Sequence, residues 1–291
     1  MVLRGAGPDP EGTLTQESRT QELEETLLSR DGTPALRLEP LEPLGVDSVV
    51  TTREGGVSTG PFRSLNLALH VGDEPSKVVE NRRRALASLG ADLEDLVLTE
   101  QVHGTDVVVV DRSERGRGAT TMASALPAAD AIVTADPGTV LGVLVADCVP
   151  IVVVDPETRV LACIHAGWRG TAGGVVDRAL DAMASLGARP DRLAAYLGPA
   201  VAASRYQVDR PVVEAIRGRV DGDDPAISPD GPGRWHLDLP AVNRGILAGA
   251  GVPPERIHAS TLTTSDPRFF SHRGAGGRAC GRFALLARLR P

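Results

Sequence analysis

Short apolar runs separated by turn chemistry dominate the chain from Leu44 onward. VDSVV, LVLTEQ, DVVVVDR, DAIVTA, TVLGVLVAD, VPIVVVD, RVLACIH, RLAAYLG, RIHASTLT and GRFALLARL have strand length and strand composition. Helical patterns lie between them. SKVVENRRRALASLG reads as a helix capped by Ser76 and stopped by Gly90, with Val79, Leu86 and Leu89 inward. A second helix is expected from Thr171 to Leu186, ended by Gly187. RPVVEAIRGRV is a third, and DLPAVNRGILAGAG, capped by Asp238, a fourth. Strands outnumber helices and several neighbouring runs form hairpin patterns. The expectation is an α+β fold, a mixed β-sheet core with flanking helices in a single domain over residues 41–291. Residues 1–40 differ: acidic, polar and poor in large apolar side chains, they read as a disordered arm with at most a short helix from Gln16 to Ser29. DGDDPAISPDGPGR reads as a flexible surface insertion.

The stretch ADCVPIVVVDPETRVLACIHAGWRGTA organises the rest. VPIVVVD and RVLACIH flank an Asp-Pro-Glu-Thr turn. Closing the hairpin symmetrically sets Val154 against Arg159 and, counting outward, Cys148 against His165, which puts a thiol beside an imidazole on one face. His103 sits at another junction, between LVLTEQ and DVVVVDR, beside Gly104. Two imidazoles and a thiolate make three protein ligands and leave a fourth tetrahedral position for water, the arrangement of a catalytic zinc. The same residues also describe a cysteine nucleophile with His165 or His103 as base and Asp147 nearby. Copper is less favoured. A blue-copper site wants a weak axial ligand such as Met, and Met1, Met122 and Met183 are poorly placed; multicopper sites use His-x-His pairs, absent among the six histidines. Cys163, two residues before His165, is a spare ligand or core filler, and of the remaining histidines His272 in FFSHR has the most suggestive setting.

Composition narrows the class. Hydrophobic content of 42% and charged content of 24% fit an ordinary globular protein, while a net charge of −7 argues against a nucleic-acid partner. Arg82-Arg83-Arg84 reads as a solvated helix face. Three cysteines without a C-x-x-C pair, no apolar run of about 18 residues and no signal pattern lead to the expectation of a reduced, cytoplasmic protein without a membrane partner, a monomer or homodimer.

In order, TTREGGVSTGPFRSLNLALHVGD, NRR, EQVHGTDV, DAIVTAD, VADCVPIVVVD, IHAGWRGTAGGV and RFFSHR resemble the laccase-domain family, from about Leu44 to the end of the chain. Members were labelled polyphenol oxidases and are regarded as purine nucleoside phosphorylases with adenosine deaminase activity. The resemblance implies zinc held by His103, Cys148 and His165, purine nucleosides and phosphate as substrates, and a mixed α/β core. Two segments depart from the family pattern: VAASRYQV lacks the frequent cysteine, and SHRGAGGRACGR replaces SHRRDG…TGR, so any substrate role of an Arg-Asp pair there does not carry over. Beside that resemblance, Arg169 with Gly170-Thr171-Ala172 at a helix start is a candidate phosphate cradle. Arg53 beside Gly55-Gly56 is a second anion candidate, and Asn66 and Gln101 are candidates for hydrogen bonds to base or ribose.

Overall fold

The apolar runs pair in two stacked sheets rather than one. In the computed structural model, residues 27–30, 33–220 and 224–291 are described. The strands are β1 (Leu27–Arg30), β2 (Thr33–Arg37), β3 (Val46–Thr51), β4 (Leu96–Val97), β5 (Val107–Val110), β6 (Ala131–Thr134), β7 (Val140–Val145), β8 (Val149–Asp155), β9 (Val160–Ala166), β10 (Ala194–Leu197), β11 (Gln207–Asp209), β12 (Ile227–Pro229), β13 (Arg234–Leu237), β14 (Ile257–Ala259) and β15 (Phe283–Leu289). The helices are α1 (Pro75–Ala87), α2 (Trp168–Gly173), α3 (Val175–Ser185), α4 (Arg210–Arg217) and α5 (Leu239–Gly249). One sheet has the order β1-β2-β3-β15-β7-β4, the other β14-β10-β8-β9-β6-β5, and β11-β13-β12 form a small third sheet. Parallel pairs (β4–β7, β5–β6, β10–β14) occur among antiparallel ones, so the fold is a single α+β domain with mixed sheets.

Residue alternation explains the layers. On β8 and β9, Val152, Val154, Leu161 and Cys163 point to the other large sheet and meet Val143, Val145, Phe283 and Leu285. Their neighbours Ile151, Val153, Ala162 and Ile164 point outward, under Val176, Ala179 and Met183 of α3 and Ile246 and Leu247 of α5. Each such buried side chain stabilises the fold by roughly 1.5–3 kcal/mol. Helix α1 covers the far face of the first sheet through Ala85 and Leu86. Both faces of the central strands are therefore buried, which is why they read as near-continuous apolar runs.

Several expectations change. Leu36 and Leu38 are fully buried and β2 pairs with β3, so the chain joins the core well before residue 41. The helix expected over Gln16–Ser29 lies largely outside the described residues, and Leu27–Ser29 belong to β1. The expected insertion contains β12 and runs into the first residue of β13, with residues 221–223 outside the described ones. In α1 the N-cap is Glu74 rather than Ser76, and Val78 rather than Val79 turns inward. Arg82 is not on a solvated face but is 2% exposed. Its Nε donates to Leu67 O (2.8 Å) and its Nη1 to Gly118 O (2.6 Å) and Ala119 O (2.8 Å), latching two loops to the helix. The helix expected from Thr171 is two helices, α2 and α3, broken where Gly174 takes a φ of 92°.

The hairpin register also differs. Asp155 pairs with Val160, and Pro150, not Cys148, faces His165. The turn explains the shift. Asp155 Oδ1 accepts from Glu157 N (2.9 Å) and Thr158 N (3.2 Å), and Arg159 closes the loop with a φ of 55°. Asp155 Oδ2 takes Arg189 N (3.0 Å) and Arg192 Nε (3.1 Å). Burial opposes ionisation of this carboxyl, but the three backbone donors and Arg192 outweigh it and hold its pKa below the usual range. A depressed pKa contributes stability that is complete above the unfolded value of about 3.9 and is lost as pH falls through the folded value. Asp155→Ala is accordingly expected to cost about 2–3 kcal/mol in urea denaturation at pH 7, with a smaller deficit in acid once the wild-type carboxylate is itself protonated.

Candidate metal centre

The two large sheets are joined where the chain crosses between them, and two of the three predicted ligands sit on such crossings. Between β7 of one sheet and β8 of the other lie Asp147 and Cys148; between β4 and β5 lies His103. Both crossings are tight: His103 has a φ of 59° and Asp147 of 97°, left-handed values that non-glycine residues adopt only under constraint. His165 is near the end of β9 and 3% exposed. The ligand atoms of His103, Cys148 and His165 lie within 4.8 Å of one another, and the two imidazoles meet edge to face with centroids 4.8 Å apart.

A glycine makes that convergence possible. Extending the β8–β9 ladder puts Gly167, not His165, opposite Cys148. A Cβ on Gly167 would come within 3.0 Å of both Cys148 Sγ and His103 Cδ2. The thiol thus fills the space a side chain at 167 would take and reaches His165 diagonally. The register shift preserves the parity of the strands, so thiol and imidazole still share a face.

Asp130, at the start of β6, fixes the two imidazoles, and nothing in its sequence setting singled it out. His165 Nδ1 donates to its Oδ1 (2.7 Å), which leaves Nε2 to point at the cluster. The same carboxylate accepts from the backbone N–H groups of Val102 (3.2 Å), His103 (3.0 Å) and Gly104 (2.6 Å). One acid therefore orients the His165 ring and shapes the turn that carries His103. Burial raises its pKa, yet the bonds from His165 and the turn prevail and keep it lowered. At Cys148 burial likewise disfavours the thiolate, but the charge of His165 and hydrogen bonds from both imidazoles bring the thiol down to about 6. His165 would be lowered by burial alone; Cys148 and Asp130 raise it to about 9. Two imidazole nitrogens and a thiolate within 4.8 Å of one another form a donor set that suits a soft or borderline cation such as zinc. Among the described residues no fourth His, Cys, Asp or Glu joins the cluster. Cys163 does not: its thiol lies between the sheets and donates to Leu141 O (3.8 Å), with its pKa pushed up by burial.

The cluster opens onto a cavity of about 360 Å3. Trp168 and Tyr206 give it aromatic walls, and Arg169, Arg273 and Arg282 give it positive charge. Arg169 stacks on Trp168 (4.4 Å) and Arg273 on Tyr206 (5.1 Å). Among the described residues none of these three guanidinium groups pairs with a carboxylate within 4 Å. His70 and His272 also line the cavity. Burial, then the charges of Arg282, Arg82 and His103, lower the pKa of His70 and favour its neutral form.

The other sequence candidates divide. Gln101 lines the cavity, but its amide is taken up by Leu144, donating to its carbonyl (2.8 Å) and accepting from its N–H (2.8 Å). Asn66 is fully buried away from the cavity; its Oδ1 accepts from Ala68 N and Arg282 N, and its Nδ2 donates to Ala68 O and Asp73. It acts on the cavity only by holding the backbone of Arg282. Arg53 lines a different cleft, stacking on Phe270 (4.6 Å) and donating to Arg63 O (2.9 Å). Gly170-Thr171-Ala172 do not open a helix: α2 begins at Trp168, Thr171 N donates to Gly167 O, and the Thr171 hydroxyl bonds Asn243 in the core. Asp147 is no partner for a cysteine nucleophile, since its carboxylate is spent on Thr264, Ser271 and the backbone of Arg273. No helix among the described residues is long and apolar enough to cross a membrane.

A family described as multi-copper polyphenol oxidoreductase laccase matches residues 47–290. A protein named purine nucleoside phosphorylase YlmD from Geobacillus stearothermophilus is 40% identical over 248 residues, covering 84% of this chain and 90% of its own. One named adenosine deaminase RL5, from an unknown prokaryotic organism, is 37% identical over 80% of this chain and 90% of its own. The crystal structure of the Geobacillus YlmD superposes with a TM-score of 0.86 at 38% identity, covering 92% of this chain and 100% of that one.

Proposed function

Since the chain belongs to this laccase-labelled family, whose relatives include proteins named for nucleoside chemistry, we propose that it is a zinc-dependent purine nucleoside phosphorylase that also deaminates adenosine. The observation that carries the reading is the His103–Cys148–His165 cluster in a cavity whose lining includes three guanidinium groups and two aromatic side chains. Zinc bound by those three residues supplies Lewis acidity at a substrate atom and lowers the pKa of water.

The chain's own residues supply the rest. Trp168 and Tyr206 offer faces on which a planar purine stacks. Arg169, Arg273 and Arg282 hold a phosphate dianion by charge-assisted bonds. In phosphorolysis a phosphate oxygen bonds C1′ of the ribose while the C1′–N9 bond breaks, and the purine departs with that electron pair and takes up a proton. His70 and His272 are in the cavity to relay that proton to the purine from phosphate or water. Deamination uses the same chamber with water attacking C6 and ammonia leaving.

Metal analysis joined to nucleoside assays tests the reading. Adenosine, inosine, guanosine and methylthioadenosine should release base and pentose 1-phosphate only when phosphate is present, adenosine should also yield ammonia, and a chelator should stop both. Phenol oxidation after copper loading, without phosphorolysis, would instead support the oxidase reading that the family description suggests. Chelator-resistant activity lost on thiol alkylation would instead support a cysteine hydrolase, with Cys148 as nucleophile and a neighbouring imidazole as base.

A further inference from the structure

Asp147 stands next to Cys148 in the chain but turns away from the metal cluster. Its Oδ1 accepts from Thr264 Oγ1 (2.5 Å) and Ser271 Oγ (2.7 Å), and its Oδ2 from the backbone N–H of Arg273 (2.6 Å). All three donors belong to one segment, residues 264–273, more than a hundred positions away in sequence. That segment is anchored at its start by a bond from Thr264 N to Ala200 O (2.8 Å). At its far end it turns on Ser271, whose Oγ accepts from Gly274 N (2.8 Å). His272 and Arg273, between those points, are exposed and line the metal cavity. Arg273 has two further contacts: its Nη1 donates to Gln207 O (3.1 Å), and its guanidinium lies over Tyr206.

We infer that Asp147 is a positioning residue for the substrate anion, holding the Ser271–Gly274 turn so that Arg273 meets phosphate at a fixed distance from the metal ligands. The inference rests on the phosphorolytic reading above and deepens it. A carboxylate is the side chain that suits this place, because three donors converge on it and a carboxylate accepts at both oxygens. The strained backbone of Asp147, with its φ of 97°, is retained because the same residue lies on the crossover between β7 and β8, delivers Cys148 to the cluster and holds the 264–273 segment through its carboxylate. Metal site and anion site are thus set by adjacent residues of one crossover, so the spacing between the reacting groups does not depend on the long loop alone.

Asp147→Asn preserves volume but presents an amide N–H to a donor. The metal-loaded variant is expected to keep its zinc stoichiometry and its KM for nucleoside within about twofold, while KM for phosphate rises about tenfold, which corresponds to about 1.4 kcal/mol. Backbone hydrogen exchange in residues 271–275 should quicken in parallel. Thr264→Val, which removes one donor without changing shape, should show a smaller rise, and Thr264→Ser, which restores the hydroxyl, should behave as wild type. Unchanged KM for phosphate, or zinc lost in proportion to activity, overturns the inference, the latter assigning Asp147 to the support of Cys148 alone. If the wild-type protein does not phosphorolyse nucleosides, the reaction reading fails separately. Calorimetric titration with inorganic phosphate and the exchange of residues 271–275 then decide, and no difference between wild type and Asp147→Asn in either overturns it.

Discussion

His103→Ala, Cys148→Ala and His165→Ala should each abolish phosphate-dependent release of base while leaving a folded protein. The three differ in what else they disturb. His103 is exposed on a crossover, and its ring can be removed without opening the core. Cys148 lies against Gly167 and its loss leaves a small void in a wall of the cavity. His165 is buried, so its removal also strands Asp130, a desolvated carboxylate with its ring partner gone. Activity should fall by at least about a thousandfold in all three, an amount in keeping with loss of a group worth roughly 4 kcal/mol or more in the transition state. Stability should fall most in His165→Ala, by about 3 kcal/mol. Metal analysis, kinetics with adenosine or inosine, and urea denaturation check the three expectations separately. Phosphorolysis persisting in all three variants would remove the cluster from the chemistry.

Much of this centre was legible in the sequence because each ligand interrupts an apolar run beside a turn. Cys148 directly precedes β8, His165 is one residue from the end of β9, and His103 is on the turn between β4 and β5. The face shared by Cys148 and His165 followed from strand parity, which survives a shift of the register by one residue on each strand. The register itself did not follow, because Asp155 both ends β8 and bonds the turn amides, and an alternating pattern cannot tell a strand-ending acid from a turn acid. The two-sheet architecture was hidden for a related reason. Strands buried on both faces read alike whether a helix or a second sheet covers them.

Residues that act through backbone were the least visible. Asp130 opens DAIVTA and looks like any acid before a strand, yet its carboxylate organises two distant segments. Arg82 stands in a run of three arginines, and only the carbonyls of Leu67, Gly118 and Ala119 distinguish it from its exposed neighbour Arg83. Asn66 and Gln101 illustrate the opposite error. Their amides were candidates for substrate, but that of Asn66 is taken up by Ala68 and Asp73 close by and by Arg282 N 216 residues away, and that of Gln101 by the backbone of Leu144, 43 residues away. Polar residues in loops announce that bonds will be made, but not with whom.

Asp130→Ala should be the most damaging change outside the three ligands. A single outer partner of a metal-binding histidine is typically worth 10–100-fold in metal affinity or activity. Asp130 is more than one partner, because it also receives the N–H groups of Val102, His103 and Gly104. Its removal frees the His165 ring to adopt either tautomer and releases the left-handed turn that aims His103. The expected loss of zinc affinity is therefore at the upper end of that range, about 100-fold, with a comparable fall in kcat at subsaturating zinc. Asp130→Asn should fall between, since its single carbonyl oxygen can serve either the ring or the turn. Competition with a chromophoric chelator measures the affinity directly, and excess zinc distinguishes the causes. If Asp130 acts only by holding the ligands, saturating zinc restores most of the activity of Asp130→Asn; a defect that zinc leaves untouched would mean that the carboxylate has a further part in the reaction.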